Sequence, residues 1–168
     1  MGDFAVQDGQ TILFIGDSIT DCGRRGAEGP LGSGYVKLVS EMTTVRYPER
    51  SIQFINKGIG GNRITDLKER WQDDVIVHKP DWLSIKIGIN DMHSDLRSAP
   101  DPVTPERYDQ LYDEILTETR EKLGCPVLII SPFYISRDRD RNTHRSRVHD
   151  FLPEYIDIAT RMSEKYGT

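Results

Sequence analysis

The stretch Thr11-Ile12-Leu13-Phe14-Ile15-Gly16-Asp17-Ser18 decides the fold that the sequence predicts. A short apolar run closed by a glycine is typical of a buried β-strand. Three more runs of this kind follow along the chain, at residues 52–56, 82–87 and 126–131. Helical stretches separate the four runs, and such alternation predicts a parallel sheet with helices on both faces.

Four stretches between and after the predicted strands have the pattern of helices, at residues 34–47, 64–75, 104–124 and about 142–165. The third of them is framed by a capping residue, Thr104, and by a stop, Gly124. The second has apolar residues at three- and four-residue steps, which places them on one helix face: Ile64, Leu67, Trp71 and Val75.

The carboxyl ends of the first three strands are where we expect a site, because parallel sheets bind ligands beyond these ends. Ser18 follows the first strand, where a turn can expose its hydroxyl; the alternative is that Ser18 caps the next helix. The glycine-rich loop of residues 57–61 can offer N–H groups to an anion, or can be a tight turn before a helix. Asn90, after the third strand, can point its amide into the same crevice or form an Asx-turn.

Together, an exposed hydroxyl, a loop rich in N–H groups and an amide donor are the parts that acyl transfer needs. A nucleotide site is poorly supported, because the glycine spacing is not GxGxxG and no Gly-Lys-Ser/Thr sequence follows.

The same positions resemble the SGNH (GDSL-type) hydrolases, a family named for Ser, Gly, Asn and His in four sequence blocks. Ser18 fits the nucleophile of the first block. Gly61 fits the glycine of the second block, with Gly60 as the alternative register, and Asn90 fits the asparagine of the third. More narrowly, five stretches look like bacterial acetylesterases that remove acetyl groups from xylo-oligosaccharides: residues 15–23, 56–62, 66–71, 79–91 and 132–135.

The resemblance implies a flavodoxin-like three-layer α/β/α sandwich and a mechanism. Ser18 attacks an ester carbonyl, and the N–H of Ser18, the N–H of Gly61 and the amide of Asn90 hold the oxyanion, while an aspartate-oriented histidine takes the serine proton. No metal and no organic cofactor is implied. The expected substrate is a small acylated molecule, above all an acetylated saccharide. A lipase, lysophospholipase or thioesterase of the same superfamily and a non-catalytic SGNH scaffold are the alternatives.

Four further residues are expected to contact the substrate. Asp17 and Gly60 adjoin the nucleophile and the oxyanion glycine, Arg24 lies in a glycine-rich loop after the nucleophile, and His93 follows Asn90 by three residues. The segment 92–102, with two prolines, is predicted to lie over the third strand as a loop that can serve as a lid.

The family pattern is broken at its last block. SGNH hydrolases carry a D-x-x-H after a fifth strand, and this sequence has none. Of its four histidines, His78, His144 and His149 are expected to be solvated, and His93 is the candidate surrogate base. We therefore expect a single SGNH domain over residues 1–168 that is shortened at its C-terminus, lacks the last strand and helix, and is impaired in activity. The fourth strand would then be a bare edge, which predicts a homo-oligomer or another association through that edge.

Composition excludes other classes of protein. The length of 168 residues suits one soluble domain. The net charge of −5 argues against a nucleic-acid-binding surface. The arginines of residues 137–147 alternate with aspartates, which is typical of a solvated segment. Cys22 and Cys125 are too few and too far apart for a disulfide framework or a CxxC metal site. No apolar run is long enough for a membrane and residues 1–10 do not resemble a signal peptide, so a cytoplasmic location without membrane partners is expected.

Overall fold

The computed structural model describes residues 4–138, 140 and 143–168, and in it four parallel strands form one sheet. Their order is β2-β1-β3-β4, so the chain reverses its direction of winding between β1 and β3. This is the flavodoxin-like order that was predicted. The strands are β1 (Thr11–Gly16), β2 (Gln53–Gly58), β3 (Trp82–Lys86) and β4 (Val127–Ile130).

Seven α-helices surround the sheet in the described residues. The predicted cap of the sixth is confirmed, since the Thr104 hydroxyl accepts from Arg107 N–H at 3.4 Å. The seventh begins at His144, whereas the prediction began at about Asn142, which lies outside the described residues. The helices are α1 (Ser18–Asp21), α2 (Tyr35–Arg46), α3 (Ile64–Glu69), α4 (Trp71–Asp74), α5 (Ile89–Leu96), α6 (Pro105–Lys122) and α7 (His144–Tyr166).

Apolar clusters cover the two faces of the sheet and confirm the three layers. Successive strand residues point to opposite faces. On β1, Leu13 and Ile15 belong to the large cluster that contains the buried side chains of α3 to α7, while Ile12 and Phe14 belong to a smaller one with Val36 of α2. Burying one such side chain contributes about 1.5–3 kcal/mol.

The predicted second helix is broken at Arg70. Its apolar face is buried as expected, but α3 ends at Glu69 and α4 begins at Trp71. The break falls at the residue whose side chain leaves the helix face, since the Arg70 guanidinium donates to the carbonyl oxygens of Lys57 and Gly16 at the strand ends.

The predicted lid loop is wrong over its first half. Residues Ile89–Leu96 form α5, and the side chains of Met92 and Leu96 lie in the large cluster with 0% and 6% exposure. A segment anchored by two buried side chains is part of the core and does not move as a lid.

The face that carries α2 is covered incompletely. A groove of about 380 Å³ runs between α2 and β4, with Phe14 and Val39 among its lining residues. At its far wall Leu128 is 50% exposed and Ile130 is 36% exposed. Within the sheet, β4 has a hydrogen-bonded neighbour on one side only, as predicted for an edge strand. In the described ranges, none of the helices combines the length and the apolar composition needed to cross a bilayer.

Candidate active site

Ser18 lies at the mouth of the sheet, on the first residue of α1 and directly after the end of β1. Its side chain is exposed, whereas its neighbours Gly16 and Asp17 are buried. Asp17, and not Ser18, caps the helix: its Oδ1 accepts from Ile19 N–H at 2.9 Å. The alternative of Ser18 as a helix cap is therefore wrong, and the hydroxyl of Ser18 is left to face solvent.

The turn at Ser18 sits very close to β3, and glycine makes this possible. A Cβ on Gly16 would lie 2.2 Å from the Lys86 carbonyl oxygen and 2.5 Å from the Thr20 hydroxyl. No side chain fits at such distances, so glycine at position 16 lets the turn that carries Ser18 lie against the neighbouring strand.

The glycine loop after β2 lies beside Ser18, and a Cβ on Gly60 would be 3.8 Å from the Ser18 Cβ. The Gly60 N–H already donates to Asp21 Oδ2 at 2.9 Å. Gly61 is exposed, has φ +85°, and its N–H meets no hydrogen-bond acceptor among the residues that the structure describes. Of the two glycines, Gly60 thus has its N–H engaged within the protein, whereas the Gly61 N–H is available to a ligand among the described residues.

Asn90 reaches this loop from the end of β3. Its Nδ2 donates to the Asn62 carbonyl oxygen at 3.0 Å, which uses one of its two amide hydrogens. The next residue reinforces the same connection, since Asp91 Oδ1 accepts from Ile64 N–H at 2.7 Å. Two neighbouring residues of α5 thus hold the loop that carries Gly61.

Arg70 braces the other side of the loop. Its guanidinium donates to Asn62 Oδ1 at 2.9 Å, to Lys57 O at 2.8 Å and to Gly16 O at 3.3 Å, and it forms an ion pair with Asp74 at 2.7 Å. One side chain therefore connects the carboxyl ends of β1 and β2 to the glycine loop.

Arg24, the predicted substrate-binding arginine, hydrogen-bonds to the protein itself. Arg24 Nε donates to the Gly58 carbonyl oxygen, and its neighbour Arg25 forms an ion pair with Asp21 at 2.9 Å. Asp21 thus receives hydrogen bonds from Arg25 and from Gly60 together. Burial acts to raise the pKa of Asp21, but the hydrogen bonds from Gly60 and Arg25 outweigh burial and lower the pKa.

His93 lies among aromatic rings. Its ring stacks on His144 at 5.4 Å and meets the edge of Tyr134 at 6.0 Å, and Tyr134 also contacts His149. His144 and His149 are exposed, as predicted, and so is His78. In the described part of the chain, no carboxylate hydrogen-bonds the His93 ring, and burial, Arg97 and His144 lower its pKa. Residues 4–138, 140 and 143–168 contain no His/Cys/Asp/Glu group that could hold a metal ion.

Comparison with known proteins agrees with this geometry. The model of the GDSL-like Lipase/Acylhydrolase family matches residues 14–167, which include Ser18, the glycine loop and Asn90. The chain belongs to the GDSL-like lipase/acylhydrolase family. Membership makes it a serine ester hydrolase in class, as the resemblance to SGNH hydrolases predicted.

Relatives in this GDSL-like family include an acetylxylan esterase of Geobacillus stearothermophilus, 44% identical over 95% of this chain and 74% of its own length. Its crystal structure superposes with a TM-score of 0.85 over 98% of this chain and 76% of that one. An α/β hydrolase from the metagenome of Lake Arreo, Spain, is 35% identical with a TM-score of 0.81 over 96% of this chain and 76% of its own. Structures of the Geobacillus esterase include catalytic mutants in which a serine, an aspartate or a histidine is replaced by alanine, and the histidine stands three positions after the aspartate.

Sequence reasoning missed the residues that hold the site together. Asp21 and Arg70 act through partners that are 39 and 54 residues away in the chain, and nothing local marks them. Lys86 did carry a signal, as a lone charge inside a predicted buried strand. Its side chain is 1% exposed and lies 3.8 Å from Asp17.

Proposed function

We propose that this GDSL-family chain is a carbohydrate O-acetylesterase in which Ser18 is the nucleophile. The observation that carries the proposal is the meeting of three strand ends: an exposed Ser18 hydroxyl, an unpartnered Gly61 N–H and the Asn90 amide, which is tied to the same loop by its bond to Asn62. Preorganised donors of this kind stabilise the oxyanion of a tetrahedral intermediate.

In the proposed reaction, the Ser18 oxygen attacks the acetyl carbonyl carbon and the carbonyl oxygen gains the negative charge. The N–H of Ser18, the N–H of Gly61 and the second amide hydrogen of Asn90 bind that oxygen. When the intermediate collapses, the bond from the carbonyl carbon to the sugar oxygen breaks, the sugar oxygen takes up the proton that the Ser18 hydroxyl gave up, and an acetyl group remains on Ser18. Water then adds to this acetyl group, acetate leaves, and a proton from the water restores the Ser18 hydroxyl. Each donor is worth about a hundredfold to a thousandfold in rate.

The acetylated saccharide is proposed from the relatives, one of which is named an acetylxylan esterase. In the structure, Arg24 donates to the Gly58 carbonyl oxygen and the His93 ring stacks on His144, so both side chains contact the protein itself. We keep both, with Gly60, as candidate neighbours of the bound sugar. Asp17 is not one of them, because its side chain is 0% exposed and is held by Ile19 N–H and Lys86.

The base that would accept the Ser18 proton is the part of the site that these 168 residues support least. The sequence has no D-x-x-H, whereas the catalytic aspartate and histidine of the Geobacillus esterase have that spacing. A serine hydroxyl without a base is a poor nucleophile at neutral pH. We therefore propose slow turnover for this chain, sustained by the oxyanion donors.

Hydrolysis of 4-nitrophenyl acetate by the wild type and by Ser18→Ala tests the nucleophile. The Ser18-dependent rate is expected to rise when imidazole is added, because a dissolved base can replace the missing one. Ser51→Ala is the matched control and should behave as the wild type, because Ser51 is exposed and precedes β2, at the opposite end of this strand from the glycine loop. Equal rates for the wild type and Ser18→Ala, with and without imidazole, would refute the assignment.

The preferred length of the acyl chain distinguishes the proposed acetylesterase from the alternative functions. Acetate esters and acetylated xylo-oligosaccharides should be hydrolysed faster than 4-nitrophenyl octanoate. A preference for octanoate would favour a lipase or thioesterase, and binding of acetylated oligosaccharide without any Ser18-dependent hydrolysis would favour a non-catalytic scaffold.

A further inference from the structure

A buried ion pair lies directly behind the nucleophile turn. Lys86 is the last residue of β3 and is paired in register with Gly16 of β1. Its Nζ lies 3.8 Å from Asp17 Oδ2, and the two side chains are 1% and 0% exposed. The face of the Phe133 ring is 5.0 Å from the same ammonium. Phe133 and Asp17 thus enclose the charge of Lys86.

Asp17 connects the ion pair with Lys86 to the first turn of α1. Its Oδ1 caps α1 through Ile19 N–H, and its backbone carbonyl accepts from Thr20 N–H and Asp21 N–H. Its Oδ2 and the Nζ of Lys86 have no hydrogen-bond partner in the described residues, so the charged form of each group is stabilised by the opposite charge of the other. Burying a charge without a partner is strongly unfavourable.

The charge of Asp17 matters because of where it lies. The proposed oxyanion forms at the N–H of Ser18, the next residue, and a carboxylate so close repels a developing negative charge. A neutral cap would avoid the repulsion, but an ionised carboxylate is the stronger acceptor for N–H groups. A buried lysine paired with Asp17 allows both: it offsets the charge of the carboxylate, and Oδ1 remains the acceptor for Ile19 N–H.

We infer that Lys86 is a positioning residue of the reaction, which compensates the charge of Asp17 so that this carboxylate can hold the Ser18 turn without opposing the oxyanion. The inference rests on the proposed function of Ser18. It adds a residue that does not contact the substrate and that acts through Asp17.

Other charged side chains near the turn are paired with one another, Asp21 with Arg25 and Arg70 with Asp74. Tyr35 of α2 and Tyr108 of α6 are the other titratable side chains whose pKa responds to Asp17, and burial raises the pKa of both, so both stay neutral near pH 7. Burial raises the pKa of Asp17 despite the attraction of Lys86, and burial lowers the pKa of Lys86. Removing Lys86 takes away the larger of the two interactions that lower the pKa of Asp17, and the hydrogen bond from Ile19 N–H remains.

The experiment compares Lys86→Met, Asp17→Asn and the double variant in 4-nitrophenyl acetate hydrolysis over a range of pH. Lys86→Met should lower kcat by about tenfold to a hundredfold above neutral pH with little change in KM. The loss should shrink at lower pH, because Asp17 then becomes protonated. The double variant should recover most of the lost kcat and lose the added pH dependence, since asparagine keeps the acceptor for Ile19 N–H and carries no charge.

A purely structural role for Lys86 makes the opposite prediction: Lys86→Met would keep the shape of the wild-type pH profile, and the double variant would be no better than Lys86→Met. Either result overturns the inference. Lys37→Met, an exposed lysine on α2, is the matched control and should be neutral. If Lys86→Met alone does not fold, the double variant is compared with Asp17→Asn: their kcat values should be similar over the whole pH range, and a large further loss in the double variant would overturn the inference.

Two controls separate this inference from the proposed function. Ser18→Ala measured in parallel shows whether any hydrolysis depends on the nucleophile; if none does, the proposed function fails and the role of Lys86 fails with it. If hydrolysis depends on Ser18 while Lys86→Met leaves its pH profile unchanged, only the inference about Lys86 fails. A ¹³C NMR titration of the Asp17 carboxyl should show a higher pKa in Lys86→Met than in the wild type, and an unchanged pKa would also overturn the inference.

Discussion

Asn90 Nδ2 donates to the carbonyl oxygen of Asn62 at 3.0 Å, across 28 residues of sequence. This bond joins the end of β3 to the loop after β2 and holds the Asn90 amide against the residue that follows Gly61. In the proposed function Asn90 and Gly61 are oxyanion donors from different strands, and the bond ties one of them to the loop of the other before a substrate arrives, which is the condition under which such donors are effective.

Asn90→Ala is expected to lose most of the Ser18-dependent activity and to keep the fold. The variant removes one oxyanion donor and the bond to Asn62, so kcat should fall by about a hundredfold to a thousandfold. Circular dichroism should remain that of the wild type. Gln110→Ala, which shortens an exposed amide side chain on α6, is the control. An unchanged kcat in Asn90→Ala would show that its amide does not bind the oxyanion.

Asp21→Ala should loosen the glycine loop. It removes the acceptor of the Gly60 N–H and the partner of Arg25, so the loop beside Ser18 loses its anchor to α1. We expect kcat to fall by about tenfold to a hundredfold through misplacement of the donor at Gly61. Asp73→Ala, an exposed carboxylate on α4, should have no effect. Wild-type kinetics in Asp21→Ala would mean that the loop holds its shape without this anchor.

Asp91→Asn is expected to stabilise the protein at alkaline pH and not at acidic pH. Burial raises the pKa of Asp91 from 3.8 to about 7. The folded state thus favours the protonated form, so the stability is full below about pH 4 and declines as the pH rises through 7. Asparagine keeps an acceptor for Ile64 N–H and carries no charge. The gain at pH 8 should be about 2 kcal/mol, less than the shift alone gives, because the new amide group also lacks a partner.

Urea denaturation at pH 5 and at pH 8 measures this difference. Asp73→Asn serves as the control, since its exposed side chain should give the same small change at both values. A stability gain for Asp91→Asn that does not depend on pH would contradict ionisation of Asp91 as the cause.

The edge of β4 is expected to mediate self-association. On one side, β4 pairs with no other strand in the part of the chain that the structure describes, and Leu128 is half-exposed there; apolar edges of this kind pair with other strands. Sedimentation velocity should show a species larger than the monomer that grows with concentration, and Leu128→Lys should reduce it. Val77→Lys, at a side chain that is 62% exposed outside the sheet, should not. A wild type that stays monomeric at all concentrations would refute the expectation.

The sequence predicts well what depends on local pattern. The strands, their parallel arrangement, and the positions of Ser18 and Asn90 all follow from short apolar runs and from the residues at their ends. The choice between Gly60 and Gly61 did not follow, because it depends on which N–H the distant Asp21 takes. The break at Arg70 was missed for the same reason, since its hydrogen-bond acceptors lie on β1 and β2.

The histidines illustrate a further limit. The charged residues around His144 predict a solvated position, and it is exposed, but its ring also stacks on His93 because α5 packs against α7. Such contacts between helices depend on the crossing of whole elements, which a single sequence does not specify.

The open groove between α2 and β4 determines how this protein can be studied in solution. Fluorescent dyes that bind exposed apolar surface report unfolding only when the native state offers them little to bind. Here the folded chain already presents Leu128, Ile130 and the exposed Met42, the last with 71% of its surface accessible. Dye fluorescence should therefore be high before heating, and circular dichroism or intrinsic tryptophan emission will report the transition more faithfully.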